Sequence, residues 1–76
     1  MNSYHLTKQG TGWVLKPAGS NTIVLQAETK HLLETQLSYF FKLRNEVASV
    51  RIHDEWGKFQ EERTYPKAAD PFPPRG

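Results

Sequence analysis

Apolar and polar residues along this 76-residue chain follow two rhythms, one of period two and one near 3.6. Tyr4 to Lys8 alternates, with Tyr4 and Leu6 on one side and His5 and Thr7 on the other, as a half-buried strand requires. Gly10-Thr11-Gly12 reads as a tight turn, because glycine adopts positive φ at little cost. Trp13 to Lys16 is a second strand, broken by Pro17-Ala18-Gly19-Ser20-Asn21. Thr22 to Gln26 is β-branched and apolar and predicts a third strand. Alternation returns from Ala48 to His53, with Val50 and Ile52 facing one way and Ser49, Arg51 and His53 the other. Asp54-Glu55-Trp56-Gly57 has the look of a hairpin turn. Lys58 to Tyr65 is then the return strand, with Phe59 inward and Gln60, Glu62 and Thr64 outward.

The helical rhythm occupies Lys30 to about Glu46, a stretch without Gly or Pro. Thr29 is the expected N-cap, since its hydroxyl can accept an orphan backbone N–H. Leu33, Phe40 and Val47 fall on one line, with Leu37 to one side and Leu32 and Leu43 to the other. Tyr39 and Phe41 mark opposite rims, so the apolar arc is about 200° wide, against the roughly 100° that a surface helix needs. The order βββαββ predicts an α+β fold: a mostly antiparallel sheet of four to five strands with the helix packed on one face. Nothing in the chain is expected to cover the other face. Residues 1–65 form the expected single domain, and 66–76, with four of the five prolines, a Pro-rich C-terminal tail.

Composition narrows this picture. A chain this short holds one core and buries only about 60% of its unfolded surface. With no cysteine, disulfides and thiolate zinc sites are excluded, and the three histidines, at 5, 31 and 53, lack tight ligand spacing. Stability must then come from packing, with self-association as a further source. No apolar run approaches the 18 or so residues of a membrane span. The start, Met1-Asn2-Ser3-Tyr4-His5, does not read as a signal peptide, so a cytoplasmic bacterial or phage-type protein is expected. A net charge of +2 does not by itself imply nucleic acid.

Several segments resemble DUF2188, a family of small bacterial proteins of unknown function. The likeness rests on Tyr4-His5-Leu6, on Gly12-Trp13-Val14-Leu15-Lys16 with Gly19, and on Thr29-Lys30. It continues in Val50-Arg51-Ile52-His53, in Gly57 through Tyr65, and in the ending Asp70-Pro71-Phe72-Pro73-Pro74-Arg75-Gly76. The chain departs from the family pattern in its bulky helix, with Leu and Phe where Ala is usual, and in Trp56 before Gly57. The resemblance implies no catalytic residues and no cofactor.

The residues themselves offer three kinds of chemistry. Asp54, Glu55, Glu61 and Glu62 cluster near the hairpin, but a charged edge strand that resists aggregation accounts for them. No serine lies in a nucleophile elbow, and the glycines at 10, 12 and 19 do not lead into a helix, so no enzyme is expected. A nucleic-acid surface is the alternative: His5, Lys16, Arg51 and His53 share the uncovered sheet face. His5 and His53 approach each other if their strands are neighbours; an ordinary hydrogen-bonded role is preferred there over a metal or anion site. Protein association has the strongest motive. Leu32, Tyr39 and Leu43 on one flank of the helix, or Phe41 on the other, exceed what a small sheet can hide. Trp56 at its turn and Phe72 in the tail complete the interface candidates, with Phe72 expected to fold back near Trp56. The expected protein is a non-enzymatic binding or adaptor module that forms a homo-oligomer, most simply a dimer, or binds another protein.

Overall fold

The computed structural model describes residues 1–65; segment 66–76, with the Phe72 contact expected there, lies outside the described residues. The elements are β1 (Asn2–Gln9), β2 (Gly12–Pro17), β3 (Leu25–Ala27), α1 (Lys30–Leu43), β4 (Ala48–His53) and β5 (Phe59–Tyr65). The fold is α+β, with one helix against a five-stranded sheet of order β3-β2-β1-β4-β5.

The sheet is mixed where antiparallel pairing was expected throughout most of it. Three neighbouring pairs are antiparallel, but the central pair, β1 with β4, is parallel. The cause is the helix. It follows β3 at one edge and returns the chain across the sheet, so β4 starts from the same end as β3 and points the same way. β3 itself runs parallel to β1 because two antiparallel pairings separate them.

β3 is shorter than the Thr22–Gln26 expected. Continuing the β2 pairing would bring Ile23 opposite Pro17, which has no N–H to donate. A turn closed by the Ser20 N–H on the Pro17 carbonyl (3.1 Å) leads the chain away from the ladder instead. Ladder contact resumes where the Val24 N–H meets the Leu15 carbonyl at 2.9 Å. Gly12 is required at the start of β2, because a Cβ there would meet the Ala27 carbonyl oxygen at 2.9 Å.

Both helix ends are closed by local chemistry. The Thr29 hydroxyl accepts the Leu32 N–H at 3.1 Å, as expected of the N-cap. The helix stops at Leu43, three residues before the expected end. Asn45 adopts φ 53°, its N–H reaches the Lys42 carbonyl at 3.1 Å, and the Glu46 N–H reaches that of Phe41 at 3.0 Å. This is a Schellman ending with asparagine in the left-handed position. Val47 therefore lies outside the helix and is exposed.

The core forms between α1 and the inner sheet face. Leu33, Leu37 and Phe41 of the helix are fully buried against Tyr4, Leu6, Leu15, Ala48, Val50, Ile52 and Tyr65. Phe41 was expected at an exposed rim and is instead the largest fully buried side chain, at 0% exposure. Its ring lies 5.1 Å from that of Tyr4, edge-on, and 5.7 Å from that of Tyr65, stacked. The reason is rotation of the helix. Burying Phe41 between two tyrosines turns the buried axis to Leu37, about 40° from the expected line through Leu33. Phe40 is only half-buried as a consequence.

A polar clamp holds the strand after the helix. The Glu46 carboxylate accepts from Asn2 Nδ2 and the Tyr4 hydroxyl, each at 2.6 Å, and from Arg44 Nε at 2.8 Å. Burial alone pushes the Glu46 carboxyl up, but these three donors outweigh it and hold it below the usual carboxylate range. Burial, and after it the same contact, push the Tyr4 phenol up.

Candidate functional site

Two surfaces collect the residues singled out by the sequence: the outer side of α1 and the sheet face opposite α1, which none of the described elements covers.

Rotation of the helix determines the first. With the buried axis at Leu37, the residues Leu32, Tyr39 and Leu43 lie about 120–160° away from it, on the solvent side. They are 47%, 67% and 67% exposed. Their spacing of seven and four residues places them on one straight line about 16 Å long. Gln36 and Thr35, both uncharged, border the line. Tyr39 and Leu43 also wall a groove with Leu25, Phe40 and Arg44, whose guanidinium sits 5.0 Å from the Phe40 ring. The one carboxylate on the described helix, Glu34, is on the opposite flank, 3.9 Å from Arg63.

The uncovered sheet face brings together His5, Lys16, Arg51 and His53. Cross-strand register sets Lys16 beside His5, His5 beside Arg51, and Arg51 beside Glu62. His5 and His53 belong to neighbouring parallel strands, and His5 Nδ1 lies 3.0 Å from His53 Nε2. The ring centroids are 5.2 Å apart. The other nitrogen of His53, Nδ1, faces the Gly57 carbonyl at 3.3 Å. A carbonyl only accepts, so neutral His53 carries its proton on Nδ1, and His5 Nδ1–H donates to the free Nε2. Burial, then His53 and Arg51, lower the pKa of His5 below its ordinary value, so it is neutral at pH 7.

Phe59 joins this face, contrary to the inward placement expected. The ladder shifts between Ile52 and His53, pairing Ile52 with Glu61 but His53 with Phe59. The extra residue reverses the alternation and turns Phe59 outward, its ring 6.3 Å from that of His53. The sequence holds one signal of this. Keeping Phe59 in phase with Tyr65 puts Glu61 and Arg63 between two inward residues, so an inward Phe59 belongs to no continuous apolar row.

Three of the four carboxylates near the hairpin, Asp54, Glu61 and Glu62, have local partners. Asp54 Oδ1 accepts the backbone N–H groups of Trp56 and Lys58, each at 2.9 Å. The Lys58 N–H is the leading cause that holds the Asp54 carboxyl below its usual range. Glu62 accepts from the Ser49 hydroxyl, and Glu61 pairs with Arg63. Gly57 takes φ 87° and closes the turn through its N–H to the Asp54 carbonyl at 3.0 Å. Trp56 is carried at the tip, 78% exposed. Trp13 is half-buried at the border of the core, with the Lys30 ammonium 5.5 Å from the ring centroid.

Among the described residues no group of three or more metal-ligating side chains converges, and no helix is long and apolar enough to cross a membrane. No family model, curated protein or solved structure matches this chain.

Proposed function

We propose that this chain is a DUF2188-like, non-enzymatic binding module of the cytoplasm that pairs with a second copy of itself through the outer line of α1. The observation that carries this reading is the straight row Leu32, Tyr39 and Leu43, exposed on the side of the helix turned away from the core. Three large apolar side chains in line at helical spacing supply a seam of the kind that two helices bury against each other. The neutral residues Thr35 and Gln36 beside the row favour self-pairing, and an antiparallel two-fold arrangement keeps the cations Lys42 and Arg44 of the two copies at opposite ends of the seam. Light scattering on the separated protein tests it. The wild-type chain is expected at twice its monomer mass at high micromolar concentration, and Leu43→Glu at monomer mass. A strict monomer in the wild type, or an unchanged mass in Leu43→Glu, refutes the pairing.

A second reading, nucleic-acid binding, is supported by the contiguity of Lys16, His5, Arg51 and His53 with the exposed ring of Phe59. A basic row beside an aromatic ring can contact phosphates and stack one base. Anisotropy of a labelled single-stranded oligonucleotide is the measurement. Binding at low salt that weakens steeply on salt addition promotes this reading, and no binding at low salt removes it.

A further inference from the structure

We propose that His5 and His53 form a two-imidazole chelate for a Cu²⁺ or Ni²⁺ ion on the uncovered face of the sheet. Their facing nitrogens, His5 Nδ1 and His53 Nε2, are 3.0 Å apart. Two nitrogens bound to one metal at about 2.0–2.1 Å are about 2.9 Å apart when they subtend a right angle, and about 3.4 Å apart in a tetrahedron. The observed separation is that of a hydrogen bond and lies close to a two-nitrogen bite; two adjacent imidazoles with the other positions left open suit the tetragonal preference of Cu²⁺ and Ni²⁺.

The surroundings support ligation. The Gly57 carbonyl at 3.3 Å keeps the proton of neutral His53 on Nδ1, so Nε2 presents a lone pair. A ligating histidine held in its tautomer by a backbone carbonyl is the usual arrangement around protein-bound metals. His5 need only move its proton from Nδ1 to Nε2, which leaves its charge unchanged, and rotation about the soft χ2 of both rings turns the two lone pairs off the N···N line toward one point. Both residues are half-buried, His5 within the central parallel strand pair and His53 at its end, and they already face each other before binding. The remaining coordination positions open to water.

The charges around the pair set its strength. Arg51 and Lys16 flank His5, and both oppose a divalent cation; Glu62, 3.9 Å from Arg51, offsets only part of that. Neutralising Arg51 therefore tightens the site, whereas a metal held elsewhere is indifferent to it.

The test is calorimetric titration of the full chain with CuCl2 in a non-coordinating buffer at pH 7.5, alongside electron paramagnetic resonance. One ion per chain is expected, with hyperfine structure from two imidazole nitrogens. His5→Asn and His53→Asn should each weaken binding by about tenfold or more, because each removes one arm of the chelate. Arg51→Gln should strengthen it by a few fold, and His31→Asn should leave it unchanged. Unaltered affinity in His5→Asn, dependence on His31, or no strengthening in Arg51→Gln overturns the assignment. Where an Asn variant does not fold, nuclear magnetic resonance of the wild-type histidine rings decides instead. Substoichiometric Cu²⁺ should broaden His5 and His53 before His31, and the reverse order overturns the proposal.

Discussion

Helix α1 carries two rows of large apolar residues, Leu33-Leu37-Phe41 and Leu32-Tyr39-Leu43, and the fold treats them oppositely. The first is wholly buried; in the second, Tyr39 and Leu43 are two-thirds exposed. Hydrophobicity does not separate them, since each holds leucines and one aromatic ring. Geometry does. Only the Phe41 row can place a ring between Tyr4 and Tyr65 while its leucines reach the inner face of β1, β2 and β4. A helix has one face to give a single sheet layer, so a second row of equal bulk is left outside. An excess of this kind on a small domain is what makes pairing with a second copy the leading reading.

The contrast can be broken most directly at Phe41. Phe41→Ala should cost about 3–5 kcal/mol of folding free energy, read by denaturant unfolding, because it empties a packed site. For a domain this small that is enough to leave much of the chain unfolded. Tyr39→Ala, two residues away, should change the stability of the monomer by no more than about 0.5 kcal/mol. Equal losses at the two positions would mean that the outer row is also packed within one chain.

The Glu46 clamp ties the segment after the helix to β1, and its charge gives a second handle. Its carboxyl is held below the ordinary range in the folded state, so its contribution is present above the unfolded value and lost as pH falls through the folded one. Stability of the wild type should therefore drop on acidification below about pH 4.5, and Glu46→Gln should flatten that drop. His5 works at milder pH with the same sign. Its folded pKa lies below the unfolded one, so stability falls as pH drops below about 6.5. His5→Asn should remove that part of the slope.

The smallest effect is expected where the helix ends. Asn45 occupies the left-handed position at φ 53°, which glycine adopts with less strain. Asn45→Gly should raise stability by about 0.4–1 kcal/mol or less, and thermal unfolding detects it as a few degrees. A loss on this substitution would show that the asparagine side chain contributes to the clamp next to it.

Local signals carried most of the fold. Period-two alternation marks β1 and β4 because each has one wet and one buried face, and β4 occupies Ala48–His53 as expected. Thr29 marks the helix start because capping depends on a hydroxyl and one nearby amide. Of the boundaries that moved, one was set by a partner strand and one by a local ending that the apolar periodicity masks. Pro17 on β2 shortens β3, and a left-handed Asn45 ends α1 inside an unbroken apolar pattern. Phe59 moved because a bulge is a property of two strands in register, and the sequence marks it only by the charged Glu61 and Arg63 that interrupt the inward row.

The candidate surfaces divide the same way. Leu32, Tyr39 and Leu43 are recognisable as surplus because 3.6-residue periodicity is a property of the sequence alone. Phe41 is misread with them, since which side of a wide apolar arc turns inward depends on where the aromatic partners Tyr4 and Tyr65 stand. His5 and His53 are visible as two outward histidines on two strands. That they meet depends on β1 and β4 being neighbours and parallel, a pairing between residues 48 positions apart. The sequence alone determined the elements, the Thr29 cap and the excess of apolar bulk, because these arise from interactions a few residues apart. The rotation of the helix, the parallel central pair and the meeting of the two imidazoles were decided only by tertiary structure, because each depends on which distant surfaces pack together.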